Sequence, residues 1–128
     1  MVARVQKKRG GDYQLSEQDC LFCKFSKNEI PVVKIFEDQD IFVIADIAPQ
    51  APTHLLLIPK KHYENGAETA QKDPQVAAKL LAKAGDLAQE KGLSGYRLTF
   101  NTGAEAGQSV FHAHLHLLGG RSFTWPPG

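Results

Sequence analysis

Three of the five histidines in the chain alternate with apolar residues over one short segment, at positions 112, 114 and 116. In a β-strand, residues two apart share a face and lie roughly 6.6 Å apart. The pattern therefore predicts that His112, His114 and His116 line one face of a strand over 109–118, while the apolar residues between them face a core. Neighbouring imidazoles disfavour one another's protonated form, so at least one should be neutral near neutral pH and able to act as a nucleophile or a ligand.

Two kinds of chemistry fit this histidine segment. Histidines at alternate strand positions can hold zinc. Alternatively, one imidazole can attack phosphorus while its neighbours bind the charged oxygens. The flanking residues favour phosphorus chemistry, because Gln108 and Ser109 directly precede the histidines and Asn101 ends the preceding predicted strand. The glycine-containing loop 102–108 offers further donors to an anion, so Gln108 and Ser109 are expected to bind the substrate phosphate.

The composition is that of a single soluble domain. The 128 residues are 42% apolar and 23% charged, and the net charge is +1. Such a chain can form a core, and its charge gives no reason to expect a nucleic-acid or membrane partner. Its apolar runs are too short for a membrane span, and residues 1–16 lack the apolar core of a secretory signal, so a cytoplasmic location is expected.

The hydrophobic pattern predicts an order of strand, strand, strand, helix, strand, strand. Five runs have the length and composition of strands: 32–36, 41–45, 55–58, 96–101 and 109–118. Asp73 and Pro74 should begin the main helix, and Gly92 should end it. This order predicts an α+β domain with an antiparallel sheet over 19–128, preceded by a flexible basic arm at 1–18.

Several further motifs accompany the histidines. His112 to Leu118 follows the pattern His-φ-His-φ-His-φ-φ, where φ is apolar, without a departure. Four other segments belong with it: 46–54 (DIAPQAPTH), 58–62 (IPKKH), 107–110 (GQSV) and the ending 118–128 (LGGRSFTWPPG). Together these motifs resemble the histidine triad (HIT) family, in particular its histidine triad nucleotide-binding (Hint) branch, over roughly residues 19 to 128.

The resemblance implies a fold and an activity. The fold would be a five-stranded antiparallel sheet, and the sheets of two subunits would join in a two-fold homodimer. The activity would be hydrolysis of purine nucleoside 5′-phosphoramidates such as adenosine 5′-monophosphoramidate, with no cofactor needed for the chemistry. His114 would be the nucleophile that forms a nucleotidyl-histidine intermediate, while His112 and His116 would orient it and contact phosphate. The aromatic tail with Trp125 is expected to pack on the domain or on a second subunit.

The resemblance also implies a substrate site, position by position. Ser109 and Asn101 would contact the phosphate or the departing amine. Asp46 would accept hydrogen bonds from the ribose hydroxyls, and His54 would join a polar network beneath the triad. The purine would lie against an apolar wall: Phe22, Phe25, Ile44 and Ile47. From the residues alone, Asp46 could instead cap a loop, and the apolar wall could be ordinary core.

The two cysteines, Cys20 and Cys23, depart from the best-known animal members of this branch. They resemble a zinc-binding subset of bacterial histidine triad proteins, whose ligands would correspond here to Cys20, Cys23, His62 and His112. Two thiolates and two imidazoles form the closed tetrahedral set of a structural zinc site. A pair of unpaired core thiols and a redox pair remain as alternatives.

Three other functions are compatible with parts of the sequence. A dinucleoside polyphosphate hydrolase would belong to a sister branch, but the Trp-Pro-Pro-Gly ending matches the Hint branch. A nucleotide sensor or protein-interaction module with weak catalysis would share the fold, although the triad together with Asn101, Ser109 and Asp46 favours an enzyme. A pure metal-binding protein would have no use for the phosphate-loop residues beside the histidines.

Overall fold

A computed structural model of the protein describes residues 5–7, 13–15 and 19–128. Two three-residue strands, β1 (Val5–Lys7) and β2 (Tyr13–Leu15), pair antiparallel near its start. They lie within the range 1–18 that the sequence predicts to be a flexible arm. The remainder of that range falls outside the described residues, so the arm stays a prediction.

The main sheet of the described residues contains five antiparallel strands. They are β3 (Phe36–Glu37), β4 (Ile41–Ala45), β5 (Thr53–Pro59), β6 (Tyr96–Thr99) and β7 (Leu115–Gly119). Their spatial order is β3-β4-β5-β7-β6, so β5 is the central strand and β6 forms one edge. β5 and β7 pair from Leu57 opposite Leu115 to Thr53 opposite Gly119. The predicted α+β class with a five-stranded antiparallel sheet is confirmed.

Three α-helices occur in the part of the chain that the structure describes. They are α1 (Leu21–Ser26), α2 (Gly66–Lys72) and α3 (Pro74–Glu90). As predicted, Pro74 lies in the first turn of α3, and Gly92 follows its end with a φ of 65° that favours glycine. Asp73 occupies the N-cap position, but its carboxylate accepts a hydrogen bond from the Tyr63 hydroxyl at 3.0 Å and does not cap the helix. None of the described helices is both long and apolar enough to cross a membrane.

Different helices cover the two faces of the sheet, because side chains alternate between faces along each strand. One face packs against α3 in the larger core: Ile41, Val43, Leu55, Leu57, Leu80, Ala84, Leu87, Ala88, Leu115 and Leu117. The other face packs against α1: Cys20, Phe22, Cys23, Phe42, Ile44, Leu56 and Ile58. His116 alternates with Leu115 and Leu117 in β7, so it lies on the face covered by α1. The site is therefore built between this face of the sheet and α1.

The last strand is shorter than the predicted run 109–118. Its ladder with β5 begins at Leu115, opposite Leu57, and a continuation would place Ile58 opposite His114 and Pro59 opposite Ala113. Proline has no backbone N–H and cannot continue a ladder. The Ala113 N–H donates instead to the carbonyl oxygen of Tyr63, at 2.7 Å. Residues 109–114 consequently approach the strand as an irregular segment.

Two other predicted strands need correction, and two short helices were missed. The run 32–36 contributes only Phe36 to β3, and the strand predicted at 96–101 ends at Thr99. α1 and α2 were not predicted, because helices of six and seven residues are too short to show a helical hydrophobic period.

Candidate active site

The histidines of residues 112–116 lie in two different surroundings. His116 lies in β7 opposite Leu56 of β5, whereas His112 and His114 precede the strand. His114 and His116 line a cavity under α1, but His112 does not and is fully buried beside Cys20. His112 and His114 both contact Phe22 on the α1 side, but Cys20 and Cys23 close His112 off from the cavity. The prediction that all three imidazoles lie on an open face is therefore wrong for His112.

A cavity of about 280 Å³ opens beside His114 and His116. Its lining includes the other residues predicted to meet substrate, with one exception treated below: Phe22, Phe25, Ile44, Asp46, Ile47, Asn101 and Ser109. Gly107, from the loop predicted to offer donors to an anion, also lines it. Four further residues line it that the sequence did not indicate: Leu21, Ala45, Leu56 and Val110. Most of these are chain neighbours of predicted residues, and Leu56 was hidden within an apolar strand run. The structure thus gathers residues from five separate segments around one opening.

His114 is held as a neutral ring with a defined tautomer. Its Nδ1 lies 2.8 Å from the carbonyl oxygen of His112. A carbonyl only accepts, so Nδ1 carries the ring proton and Nε2 keeps its lone pair. Burial, partly opposed by this hydrogen bond, lowers the pKa of His114 below its ordinary value. The ring of Phe22 stands edge-on to it, with centroids 5.1 Å apart. An imidazole in this state is a nucleophile.

His116 belongs to a group of three side chains that we call the carboxylate cluster: Asp46, His54 and His116. Nε2 of His54 lies 2.9 Å from Nδ1 of His116 and 3.3 Å from Oδ2 of Asp46. The Gln50 N–H donates to Nδ1 of His54 at 3.0 Å. Burial and the neighbouring His114 and His54 lower the pKa of His116 to about 4, so this ring is neutral at neutral pH.

Asp46 has two roles available to it. Its Oδ1 accepts the Ala48 N–H at 2.8 Å, which is the loop-capping bond that the residue type allows. The same side chain also lines the cavity and approaches His54 through Oδ2. The loop bond therefore fixes the carboxylate in place and leaves it at the cavity wall.

Gln108 holds the phosphate loop together. Its Oε1 accepts the Gly103 N–H at 2.8 Å, and its Nε2 donates to the carbonyl oxygens of Glu64 at 2.7 Å and Val110 at 3.1 Å. The side chain is buried and does not line the cavity. The prediction that Gln108 binds substrate is corrected, because its amide is bonded to backbone groups on both sides. It positions the loop that carries Ser109.

The predicted metal ligands form a second group, which we call the thiol cluster: Cys20, Cys23, His62 and His112. Nδ1 of His112 lies 3.3 Å from Sγ of Cys20 and 3.5 Å from Sγ of Cys23. Nδ1 of His62 lies 3.3 Å from Sγ of Cys23 and 3.1 Å from Nδ1 of His112. Tetrahedral zinc bonds of about 2.0–2.3 Å place ligand atoms about 3.3–3.8 Å apart. Three of the four distances given above fall in this range, and all four ligand atoms lie within 4.8 Å of one another, so the residues fit a zinc ion.

The protonation states in the thiol cluster also suit a metal. Nε2 of His112 donates to the carbonyl oxygen of Pro59 at 2.7 Å, which leaves the Nδ1 lone pair facing the sulfurs. Hydrogen bonding from Cys23, opposed by burial and assisted by His112, lowers the pKa of the Cys20 thiol well below its usual range. The thiolate is the form that binds metals. Sγ of Cys20 also accepts the Cys23 N–H as the N-cap of α1, so the cluster anchors the helix that walls the cavity.

The C-terminal tail is attached through residues that precede Trp125. Nη2 of Arg97 donates to the carbonyl oxygen of Thr124 at 2.9 Å. The guanidinium carbons of Arg97 and Arg121 lie 5.0 and 4.2 Å from the centroid of the Phe123 ring. Trp125 itself is 82% exposed. The expectation that Trp125 packs on its own domain is wrong, and packing on a second subunit stays a prediction.

Comparisons with known proteins agree with this geometry. Residues 27–123 match the model of the HIT domain. The chain belongs to the HIT family. Over 112 residues, 87% of this chain and 98% of the relative, it is 45% identical to an uncharacterized HIT-like protein of Synechocystis.

Two solved structures extend the match. A HIT family hydrolase from Legionella pneumophila Philadelphia 1 is 54% identical, with a TM-score of 0.80 over 85% of this chain and 99% of that one. A HIT family hydrolase from Clostridium thermocellum is 40% identical, with a TM-score of 0.79 over 85% of this chain and 96% of that one. This HIT protein therefore has the fold and the relatives of a HIT family hydrolase.

Proposed function

We propose that this HIT protein belongs to the Hint branch and hydrolyses purine nucleoside 5′-phosphoramidates through a nucleotidyl intermediate on His114. The observation that carries the proposal is the state of His114 at the cavity wall. Its Nδ1–H is bonded to the His112 carbonyl, and its Nε2 lone pair is available for attack. The groups around it, Asn101 and Ser109, can hold the phosphate oxygens and the amine.

The reaction proceeds in two displacements. Nε2 of His114 attacks phosphorus and forms a P–N bond to the imidazole, while the P–N bond to the substrate amine breaks. The substrate nitrogen is protonated before cleavage and leaves as a neutral amine. Water then attacks phosphorus, a P–O bond forms, and the electron pair of the histidine P–N bond returns to Nε2. The water proton goes to solvent, and the nucleoside monophosphate leaves.

The shape of the cavity supports a mononucleotide. Its apolar side, with Phe22, Phe25 and Ile44, gives a base a surface to pack on, and Asp46 stands where ribose hydroxyls could donate. The volume of about 280 Å³ lies just below the range for small-molecule sites, which is about 300–1,000 Å³. A dinucleoside polyphosphate would need a larger site, so the volume favours the phosphoramidate of a single nucleoside.

The decisive experiment is AMP release from adenosine 5′-monophosphoramidate by the wild type and by His114→Ala. We expect the variant to lose at least about a thousandfold in kcat, because the covalent route is gone. AMP binding, measured by calorimetry, should persist. Glu105→Ala is a matched control, since Glu105 is exposed on the same loop region and does not line the cavity.

Other outcomes of this experiment point to other functions. A wild type that binds AMP without turnover would be a nucleotide sensor or interaction module. Turnover of diadenosine polyphosphates in preference to the phosphoramidate would assign the sister branch. A wild type with neither turnover nor AMP binding would overturn the proposal.

We propose in addition that the thiol cluster holds a structural zinc ion. The donor set is two sulfurs and two Nδ1 atoms, and it is closed, so the ion would stabilise α1 and the approach to β7 without exchanging a ligand for water. Cys20→Ser tests this cleanly, because serine can still cap α1 but is a poor zinc ligand. Zinc content by mass spectrometry and the melting temperature should fall more than kcat does. Fully stable, metal-free wild-type protein would refute the zinc site.

We also propose a two-fold homodimer that joins two sheets through β6. Among the described strands, β6 pairs only with β7, and its other edge presents unpaired backbone groups. Tyr96 in this strand and the nearby tail residue Trp125 are exposed. Sedimentation equilibrium should give twice the 14.1 kDa chain mass, and a monomer at micromolar concentration would contradict the dimer.

A further inference from the structure

We propose that His54 is a positioning residue that fixes the tautomer of His116 and couples it to ribose recognition by Asp46. The proposal rests on the function proposed above, because it assigns a ribose to the cavity. It concerns the carboxylate cluster and the backbone of Gln50. The reaction steps given above make no use of either His54 or Gln50.

The backbone of Gln50 decides where the His54 proton lies. The Gln50 N–H donates to Nδ1 of His54 at 3.0 Å, so Nδ1 must present a lone pair. A ring with a lone pair on Nδ1 carries its proton on Nε2. His54 is buried, and turning its ring over would take Nδ1 away from the Gln50 N–H and Nε2 away from His116. The Nε2 atom of His54 is therefore a donor.

That donor in turn decides the tautomer of His116. The Nε2 atom of His54 lies 2.9 Å from Nδ1 of His116, so Nδ1 of His116 accepts. His116 is neutral at neutral pH, since burial and the neighbouring His114 and His54 lower its pKa to about 4. A neutral ring that accepts through Nδ1 carries its proton on Nε2. His116 thus brings an N–H donor to the cavity that it lines with His114.

A metal ion in the carboxylate cluster is the competing explanation, since a carboxylate and two imidazoles also suit a divalent cation. The Gln50 N–H argues against it. A metal on Nε2 of His54 would require Nδ1 to carry the proton of a neutral ring, and that proton would face the Gln50 N–H at 3.0 Å. Two donors would then oppose each other. The geometry favours a chain of hydrogen bonds.

Two acceptors lie near the Nε2–H group of His54. Nδ1 of His116 is at 2.9 Å, and Oδ2 of Asp46 is at 3.3 Å. Ribose hydroxyls that donate to Asp46 satisfy its oxygens and weaken its attraction for the His54 proton. The proton is then drawn fully toward His116. Ribose binding therefore strengthens the bond that holds His116 in its donor tautomer, and the hydroxyls contribute to kcat as well as to KM.

The experiment compares adenosine 5′-monophosphoramidate with its 2′,3′-dideoxy analogue in the wild type and in two variants of His54. His54→Gln keeps an amide N–H at about the distance of Nε2, whereas His54→Asn keeps an acceptor near Gln50 but is too short to reach His116. In the wild type, loss of the hydroxyls should lower kcat about fivefold or more. In His54→Asn, kcat should fall about tenfold or more, and loss of the hydroxyls should change only KM. His54→Gln should restore most of kcat and of its dependence on the hydroxyls.

The outcomes separate this inference from the proposed function. If the wild type turns over and its kcat depends on the hydroxyls equally in His54→Asn, the positioning role is refuted while the phosphoramidase stands. If the wild type does not turn over the phosphoramidate, the proposed function falls.

Because His54 is buried, its variants could fail to fold, which thermal melting would show. A measurement on the wild type then takes their place. Long-range ¹H–¹⁵N spectra should show the His116 proton on Nε2, with AMP shifting the His116 Nδ1 signal more than dideoxy-AMP does. A proton on Nδ1 of His116 would overturn the proposal.

Discussion

The thiol cluster and the carboxylate cluster each bring two imidazoles within hydrogen-bond distance, yet they are suited to different tasks. Nδ1 of His62 and Nδ1 of His112 are 3.1 Å apart in the first, and Nε2 of His54 and Nδ1 of His116 are 2.9 Å apart in the second. The backbone group behind one ring distinguishes them. The carbonyl oxygen of Pro59 accepts the outer proton of His112, so the Nδ1 lone pair faces inward, toward the proposed zinc site.

In the carboxylate cluster the backbone group has the opposite polarity. The Gln50 N–H takes the outer lone pair of His54, so a proton faces inward, toward His116 and Asp46. Ring spacing alone would not separate the two sites. The difference teaches that the backbone groups bonded to the outer ring nitrogens determine whether a histidine cluster suits metal binding or the placement of a proton.

The strongest test of this contrast is a matched pair of alanine variants. His112→Ala removes a buried ring, a proposed zinc ligand and the donor to Pro59, so the free energy of unfolding should fall by about 4 kcal/mol. His116→Ala should destabilise the protein less than half as much, but it should lower kcat about a hundredfold, because a donor at the cavity is lost. Urea unfolding and AMP release measure the two effects. If both variants changed stability and kcat equally, the two clusters would not differ in their roles.

A smaller effect is expected in the dependence of stability on pH. His116 titrates near 6.5 in the unfolded chain, but its pKa is lowered to about 4 in the folded protein. Between these values the unfolded chain binds more protons, so stability is highest above pH 6.5 and falls as the pH drops toward 4. The His116 contribution is at most about 3 kcal/mol over this window.

The variant His116→Gln isolates that contribution. Protons released from the thiol cluster and other groups affect the wild type and the variant alike, so they cancel in the difference. Urea unfolding at several pH values should give a shallower decline for His116→Gln. Parallel curves would show that His116 is as easily protonated in the folded protein as in the unfolded chain.

The smallest effect concerns Phe22, which lies between the thiol cluster and the cavity. Its ring centroid is 5.9 Å from that of His112 and 5.1 Å from that of His114. Phe22→Leu should cost about 1 kcal/mol of stability through lost ring contacts. It should also raise KM a few-fold, because the residue lines the cavity. Thermal melting and initial rates would show both changes together, and a change in only one would mean that the two regions are independent.

Much of this arrangement could be predicted from the sequence. The alternating histidines, the polar loop and the apolar β-branched runs led to the sheet, and most of the residues predicted to meet substrate line one cavity. Such patterns are local or match a family along the chain. The different roles of the histidines were only partly predictable, because the burial of His112 depends on Cys20 and Cys23, which lie 92 and 89 residues away in the chain.

The role of Gln108 and the contact of Gln50 with His54 could not be predicted at all. The first depends on the carbonyl of Glu64, 44 residues away in the chain. The second depends on a backbone N–H, and backbone groups carry no signature in the residue types. Residue patterns thus identified the side chains of the site but not the main-chain atoms that set their protonation.

These main-chain atoms have a consequence for how the site tolerates mutation. Nδ1 of His114 and Nε2 of His112 donate to carbonyls, and Nδ1 of His54 accepts a backbone N–H. Every amino acid supplies the carbonyl at positions 59 and 112, and every amino acid except proline supplies the N–H at position 50. The identity of the residue at 50 can therefore change during evolution while the ring proton of His54 stays where it is. The positions of the ring protons in the site are therefore determined by the course of the backbone.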